Sequence, residues 1–270
     1  MGTRAPEVRL GALRTPGEMQ ACVDLQVAVW GYADGDVIPR RMFVVAERIG
    51  GQVLGAFDGD RMVGFAMSLP GFRDGMAYLH SHMLAVLPEY RDAGLGRRLK
   101  LAQREDAIAR GFALMEWTFD PLEIKNAYLN LSRLGAIARR YQPNFYGPSS
   151  SPLQGGLPTD RLSAEWWLRS ERVRGRVSER FRGRVSERTD GAGSGLEVEV
   201  LERVPVPAAI YAWKVEAGMR ERATEVQTRV REALESGFGR GLAAVGFERD
   251  AAGDGTYLLG RVEVGLDGAG

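Results

Sequence analysis

The chain has 270 residues, 44% hydrophobic and 26% charged, which predicts an ordinary globular protein of one large domain or two modest ones. With 36 lysines and arginines against 35 acidic residues, the net charge is +1, so no global field recruits nucleic acid or an acidic membrane. A single cysteine, Cys22, excludes an internal disulfide, no apolar run reaches the roughly 20 residues of a membrane span, and "MGTRAPEVRL" lacks a signal's apolar core, so a soluble cytoplasmic protein is expected.

In chain order, "EVRLGAL" alternates as a first strand, and "TPGEMQACVDLQVAVWG" carries a cap, an early proline and a closing glycine, which predicts a helix. "PRRMFVVAERIGG" predicts a second helix on the same grounds. "GQVLGAFDGDRMVGFAMSLPG" reads as a hairpin turning at Asp58-Gly59. A further strand runs from about Ala77 to Leu87. From Gly94, Leu95, Leu99 and Ala102 repeat at helical spacing until Gly111 ends the helix. "FALMEWTF" is a strand, and Ile124, Ala127, Leu131 and Leu134 mark the apolar face of another helix. "AIARRYQPNFYG" and "LSAEWWLRS" read as closing strands. The order β-α-α-β-β-β-α-β-α-β-β predicts a mixed sheet with helices packed on it.

Composition shifts after Ser170. "RGRVSER" occurs twice at a period of eight, rich in arginine and with a single aromatic residue, Phe181, between the copies rather than an interleaved set for base stacking, so 171–195 is expected to be a basic linker rather than a nucleic-acid arm. From Leu196, a strand, a long helix faced by Val215, Met219, Val226, Val230, Ala233 and Leu234, and a hairpin through "DAAGDG" form a small β-α-β-β accessory unit, 196–270, that covers a site or forms a dimer contact.

The chemistry concentrates in "YLHSHMLAVLPEYRDAGLGRRLK", from Tyr78 to Lys100, which holds both histidines of the chain. Gly94 and Gly96 at a strand-to-helix junction let backbone N–H groups converge on an anion at the positive end of the helix, with Arg91, Arg97 and Arg98 adding charge. Leu99 stands where a dinucleotide fingerprint needs a third glycine, and the Gly-Lys-Ser/Thr of a nucleotide-triphosphate loop is absent.

Together with the strand before it, "LAVLPEYRDAGLGRRL" resembles the GNAT superfamily of acyl-CoA N-acyltransferases, whose Arg/Gln-x-x-Gly-x-Gly/Ala signature is matched by Arg91, Gly94 and Gly96. The element order to Ser170 resembles the family too, and "WTFDPLEIKNAYLNLSRLGA" looks like a subgroup of acetyltransferases. The resemblance implies a GNAT-type α/β fold over 1–170, a twisted and mostly antiparallel mixed sheet flanked by helices. It implies acetyl-CoA or another acyl-CoA as co-substrate. Backbone N–H groups of Asp92, Ala93, Gly94, Leu95, Gly96 and Arg97 would hold the pyrophosphate, and the strand through Leu84, Ala85 and Val86 would pair with the pantetheine arm. The N–H near Leu84 would polarise the thioester carbonyl, and Asn126 would contact pantetheine.

The acceptor ammonium must lose a proton before it attacks, and an imidazole of pKa ~6.5 can take it. Strand alternation places His80, His82, Leu84 and Val86 on one face, and the histidine spacing resembles that of family members in which two histidines on this strand remove the proton. His82 is thus the expected base, with His80 a relay or second base. Two other readings stand beside it: imidazoles bonded to backbone carbonyls in the core, and a zinc pair that no cysteine or third histidine completes. No metal is expected. The family's usual acid, a tyrosine four residues before the helix-ending glycine, is Leu131 here, which leaves Tyr141 or another tyrosine, or an unaided thiolate. Asp34, Trp117, Asp120 and Tyr146 are the expected acceptor contacts, with Asp36 a further carboxylate and Glu116 a weaker base. The expected activity is N-acetyl transfer to a primary amine of a small molecule or amino acid, by direct attack in a ternary complex. The alternatives are succinyl transfer to an amino acid and a non-catalytic acyl-CoA sensor.

Overall fold

The computed structural model describes residues 7–33, 35–178, 198–216 and 218–262. The second copy of the basic repeat and the glycine-rich stretch after it lie outside these residues. The chain groups into two compact units, Met1–Trp117 with Tyr146–Thr159, and Thr118–Phe145 with Asp160–Gly270.

In the first unit, strand β1 (Arg9–Ala12) leads to helices α1 (Pro16–Trp30) and α2 (Arg40–Arg48). Helix α1 starts on a capping box: the Glu18 N–H donates to Thr15 Oγ1 at 3.2 Å and the Thr15 N–H donates to the Glu18 carboxylate at 2.9 Å. It ends at Gly31, whose φ of 63° is the left-handed cap. Strands β2 (Gln52–Asp58) and β3 (Arg61–Arg73) form the expected hairpin, with Gly59 at φ 58° in a two-residue turn between Asp58 and Arg61. Strand β4 (Met76–Val86), helix α3 (Leu95–Ala109) and strand β5 (Leu114–Phe119) follow. The strand order is β1-β2-β3-β4-β5, antiparallel throughout except for the parallel β4–β5 pair. Leu13, Cys22, Phe43, Val63, Phe65, Met67 and Leu99 form its core.

The second unit contains α4 (Ile124–Ala127), a π-turn over Tyr128–Arg133, and strands β6 (Ile137–Gln142) and β7 (Arg161–Trp167). Helix α5 (Glu171–Ser178), at the start of the basic segment, buries Val173. Strand β8 (Val200–Val206), helices α6 (Ile210–Trp213) and α7 (Arg220–Gly239), and strands β9 (Ala243–Arg249) and β10 (Gly255–Gly260) complete it. Packing groups these strands otherwise than composition does: β9 pairs with β6 at Ala138–Ala244, giving the order β7-β6-β9-β10-β8. The mixed, mostly antiparallel α/β architecture is the one expected of a GNAT fold.

Close approach of β3, β4 and α3 sets the frame for the site. A Cβ built on Gly64 would lie 2.8 Å from the Ala85 carbonyl oxygen, which belongs to the backbone and cannot swing aside. Gly64→Ala is expected to destabilise by roughly 1–3 kcal/mol through overpacking, read as a lower urea midpoint at unchanged slope.

Candidate active site

Strand β4 pairs with β3 from Met76 to Val86, but the register shifts midway: Met67 faces Met83 while the adjacent Ser68 faces Ser81. His82 is the extra residue of a β-bulge. Simple alternation puts His80, His82, Leu84 and Val86 on one face; the bulge reverses the alternation beyond His82. Leu84 and Val86 consequently face α3: a Cβ on Gly96 would be 3.5 Å from Leu84 Cδ2, and one on Gly64 would be 3.4 Å from Val86 Cγ2 and 3.5 Å from Leu99 Cδ1. Ser81 is on that face as well, bonded to α3 side chains, which puts His80 on the opposite one. The imidazoles stay together, with ring centroids 6.0 Å apart.

On its other edge β4 meets β5 over only two rungs, Leu79–Met115 and His80–Glu116. Beyond them, among the described residues, no strand pairs with β4 on that edge from Ser81 to Val86. Such an opening offers backbone donors and acceptors to an extended ligand arm.

The loop after β4 leads to an uncapped helix start. Asp92 has φ 60° and Gly94 φ 78°, and no side chain caps the N-terminus of α3. The N–H groups of Leu95 and Gly96, in the first turn, have no intrahelical partner. Gly94 needs its glycine for backbone conformation; Gly96 does not, and an added Cβ there would meet only Leu84, at ordinary contact distance. Its bareness leaves an open cradle, and a pyrophosphate fits such a cradle through backbone N–H groups and the helix dipole. Arg91 Nε donates to the Val86 carbonyl at 3.0 Å and Arg98 Nη2 to the Val8 carbonyl at 2.6 Å, so both arginines also anchor the loop and helix.

Burial keeps the histidines neutral. His80 is lowered to about 4 by desolvation first, then by His82 and Lys100, against an opposing pull from Glu116; desolvation lowers His82 too. Glu116, beside His80, is gripped by both Arg73 guanidinium nitrogens, Nη1 at 2.9 Å from Oε2 and Nη2 on Oε1. A carboxylate held on both oxygens by one guanidinium is engaged as a counter-charge to Arg73. Trp117, expected at the acceptor, is 5% exposed on the α3 side, where Lys100 Nζ sits 3.6 Å from its ring centroid. Lys100 itself is buried, and desolvation pulls its amine well below the ordinary lysine range. Sequence reasoning passed over it, although a polar residue beside Leu99 on the buried stripe of α3 was a usable signal.

The remaining expected residues have other engagements. Tyr141, in the second unit, donates to Asp160 at 2.6 Å; burial and that carboxylate raise its phenol above the ordinary range, which makes it a poor proton donor to a thiolate. Asp120 accepts from the buried Lys214 at 2.9 Å and caps the Leu122 N–H, so its charge is already balanced. Asn126 is exposed on α4, and Tyr146 is 47% exposed, its N–H bonded to Thr159. Asp36 caps Ser150, and Asp34 lies outside the described residues. Ala85 and Val86 are buried, so only their backbone can serve a ligand. Among the described residues no three His, Cys, Asp or Glu side chains gather as a metal site would need, and no helix is long and apolar enough to cross a membrane.

A family model described as the acetyltransferase (GNAT) family matches residues 20–127. No curated protein matches the chain. Similar solved structures include the ribosomal-protein-S18-alanine N-acetyltransferase of Escherichia coli, 18% identical over 58% of this chain and 92% of that one, with a TM-score of 0.48. Salmonella typhimurium yncA, solved with acetyl-CoA, is 16% identical over 61% and 95%, with a TM-score of 0.49. An aminoglycoside 6'-acetyltransferase type Ii is 19% identical over 59% and 97%, at 0.47.

Two outcomes are expected from this geometry. Gly96→Ala gains helix propensity, about 0.5–1 kcal/mol, so the melting temperature holds or rises while coenzyme A affinity, read by calorimetry, falls about tenfold. For His80, the unfolded imidazole takes its proton near 6.5 and the folded one only near 4. Stability from this group is therefore present above 6.5 and is lost as pH falls toward 4. The loss should exceed that of His80→Gln by at most about 3 kcal/mol in chemical denaturation.

Proposed function

We propose that this chain, whose residues 20–127 match the acetyltransferase (GNAT) family model, is an acetyl-CoA-dependent acetyltransferase that acetylates the primary amine of a small molecule or amino acid by direct attack in a ternary complex. The single observation that carries the reading is the bulge at His82, next to the two-rung end of the β4–β5 ladder and on the strand leading to the uncapped start of α3. The bulge detaches one imidazole from regular pairing and keeps it beside the other.

In this reading the N–H groups of Leu95 and Gly96, with those around them, hold the pyrophosphate, and the open edge of β4 pairs with the pantetheine arm. A backbone N–H near Leu84 faces the oxygen on which charge grows. His82, neutral because it is desolvated, takes the proton from the acceptor nitrogen, directly or through water, with His80 as the second base. As the new N–C bond forms and the C–S bond breaks, the sulfur leaves as a thiolate, whose ordinary pKa of about 8.5 makes a strong acid unnecessary. The imidazolium of His82 can return its proton to that sulfur. Arg73, which holds the Glu116 carboxylate beside His80, is already engaged by it, which supports acetyl over succinyl as the transferred group.

The test is release of free thiol from acetyl-, propionyl- and succinyl-CoA against mixed amines and amino acids. Acceptor-dependent release from acetyl-CoA is expected, with an acid limb below pH ~6.5, since both histidines are shifted down. His82→Ala should lose about a hundredfold in kcat. A variant retaining wild-type turnover would remove His82 from the role of base.

A further inference from the structure

Lys100 is a buried ionisable group of the first unit that the proposed chemistry leaves unused. It is 4% exposed, and among the described residues no carboxylate lies within ion-pairing distance of it. Its Nζ donates to Ser81 Oγ at 2.8 Å and lies 3.6 Å from the Trp117 ring centroid. Ser81 Oγ in turn donates to Gln103 Oε1 at 2.9 Å, so α3 holds the serine from two positions one turn apart.

The location is what gives this contact meaning. Ser81 and Trp117 are the residues immediately after the last rung, His80–Glu116, of the β4–β5 ladder. Lys100 therefore bridges the two strands on the α3 face at the point where their backbones stop pairing. Ser81 also separates the two histidines, so its bonds to α3 fix the backbone from which both imidazoles project. The same helix begins at Gly94, on the anion cradle. One amine thus links the histidine strand, the neighbouring strand and the coenzyme-binding helix. Burying an amine without a carboxylate opposes folding, and methionine, of similar length and able to sit against the indole, would fill the space without that cost.

We propose that Lys100 is a positioning residue for acetyl transfer, a clasp that sets the width of the β4–β5 opening and holds the histidines in register with the N-terminus of α3. This rests on the acetyltransferase reading above. Lys100 touches no reacting atom in this role; it acts through Ser81 and Trp117.

The experiment compares the wild-type chain with Lys100→Met, Ser81→Ala and the double variant, measuring melting temperature, coenzyme A affinity by calorimetry, and steady-state kcat and KM. Lys100→Met should melt at or above the wild-type temperature, yet lose about tenfold in kcat with a weaker hold on coenzyme A, as misplacement of reacting groups does. Ser81→Ala, which removes the same hydrogen bond from the other side, should lose activity in the same direction. The double variant should lose no more than Lys100→Met alone, because the two residues act as one unit. Both single variants within twofold of wild type in kcat and coenzyme A affinity would overturn the clasp, as would unfolding of Lys100→Met beside a fully active Ser81→Ala. A wild-type chain that binds no coenzyme A would instead sink the acetyltransferase reading, and the clasp with it.

Discussion

The pairing of β4 with β5 stops after two rungs, and every functional feature of the first unit is arranged around that stop. A parallel pair that continued would satisfy the backbone of β4 on both edges and leave nothing for a ligand. By ending at His80–Glu116, it leaves the backbone beyond without a strand partner on that edge, among the described residues, while β3 still holds β4 along its whole length on the other. The open edge is thus part of a strand held on its other side, and in the proposed reaction that support would keep backbone donors aimed where charge develops.

Charge is handled with the same restraint. In the proposed coenzyme site the anion would meet N–H groups and the helix dipole, while Arg91 and Arg98 bond to main-chain carbonyls. The histidines lie in surroundings dry enough to keep them neutral, and the one carboxylate beside them is neutralised by Arg73. In the second unit, Asp120 with Lys214 and Asp160 with Tyr141 and Arg231 are closed sets of the same kind. Among the described residues, the buried carboxylates Glu116, Asp160 and Glu165 come with their partners.

Much of this was legible in the sequence. Glycines at 94 and 96, between an apolar strand and an apolar helical stripe, specify a loop that local backbone chemistry alone can build, and the element order followed from hydrophobic periodicity. Asp120 and Tyr141 read as site residues because a polar side chain near a strand end looks available; only the fold brings Lys214, 94 residues away, and Asp160 against them. The bulge was not legible, since it exists only as a mismatch between two strands. Alternation along β4 predicts a single face for His80 through Val86, and the strand it pairs with splits that set in two.

Sequence by itself determined the elements, the glycine turn and the confinement of both imidazoles to one strand, because each depends on neighbours a few residues apart. The tertiary structure decided which face each side chain of β4 takes, where its pairing with β5 ends, and that Lys100 lies across that end. Those outcomes depend on register between segments far apart in the chain, and register is a property of packing rather than of composition or local period.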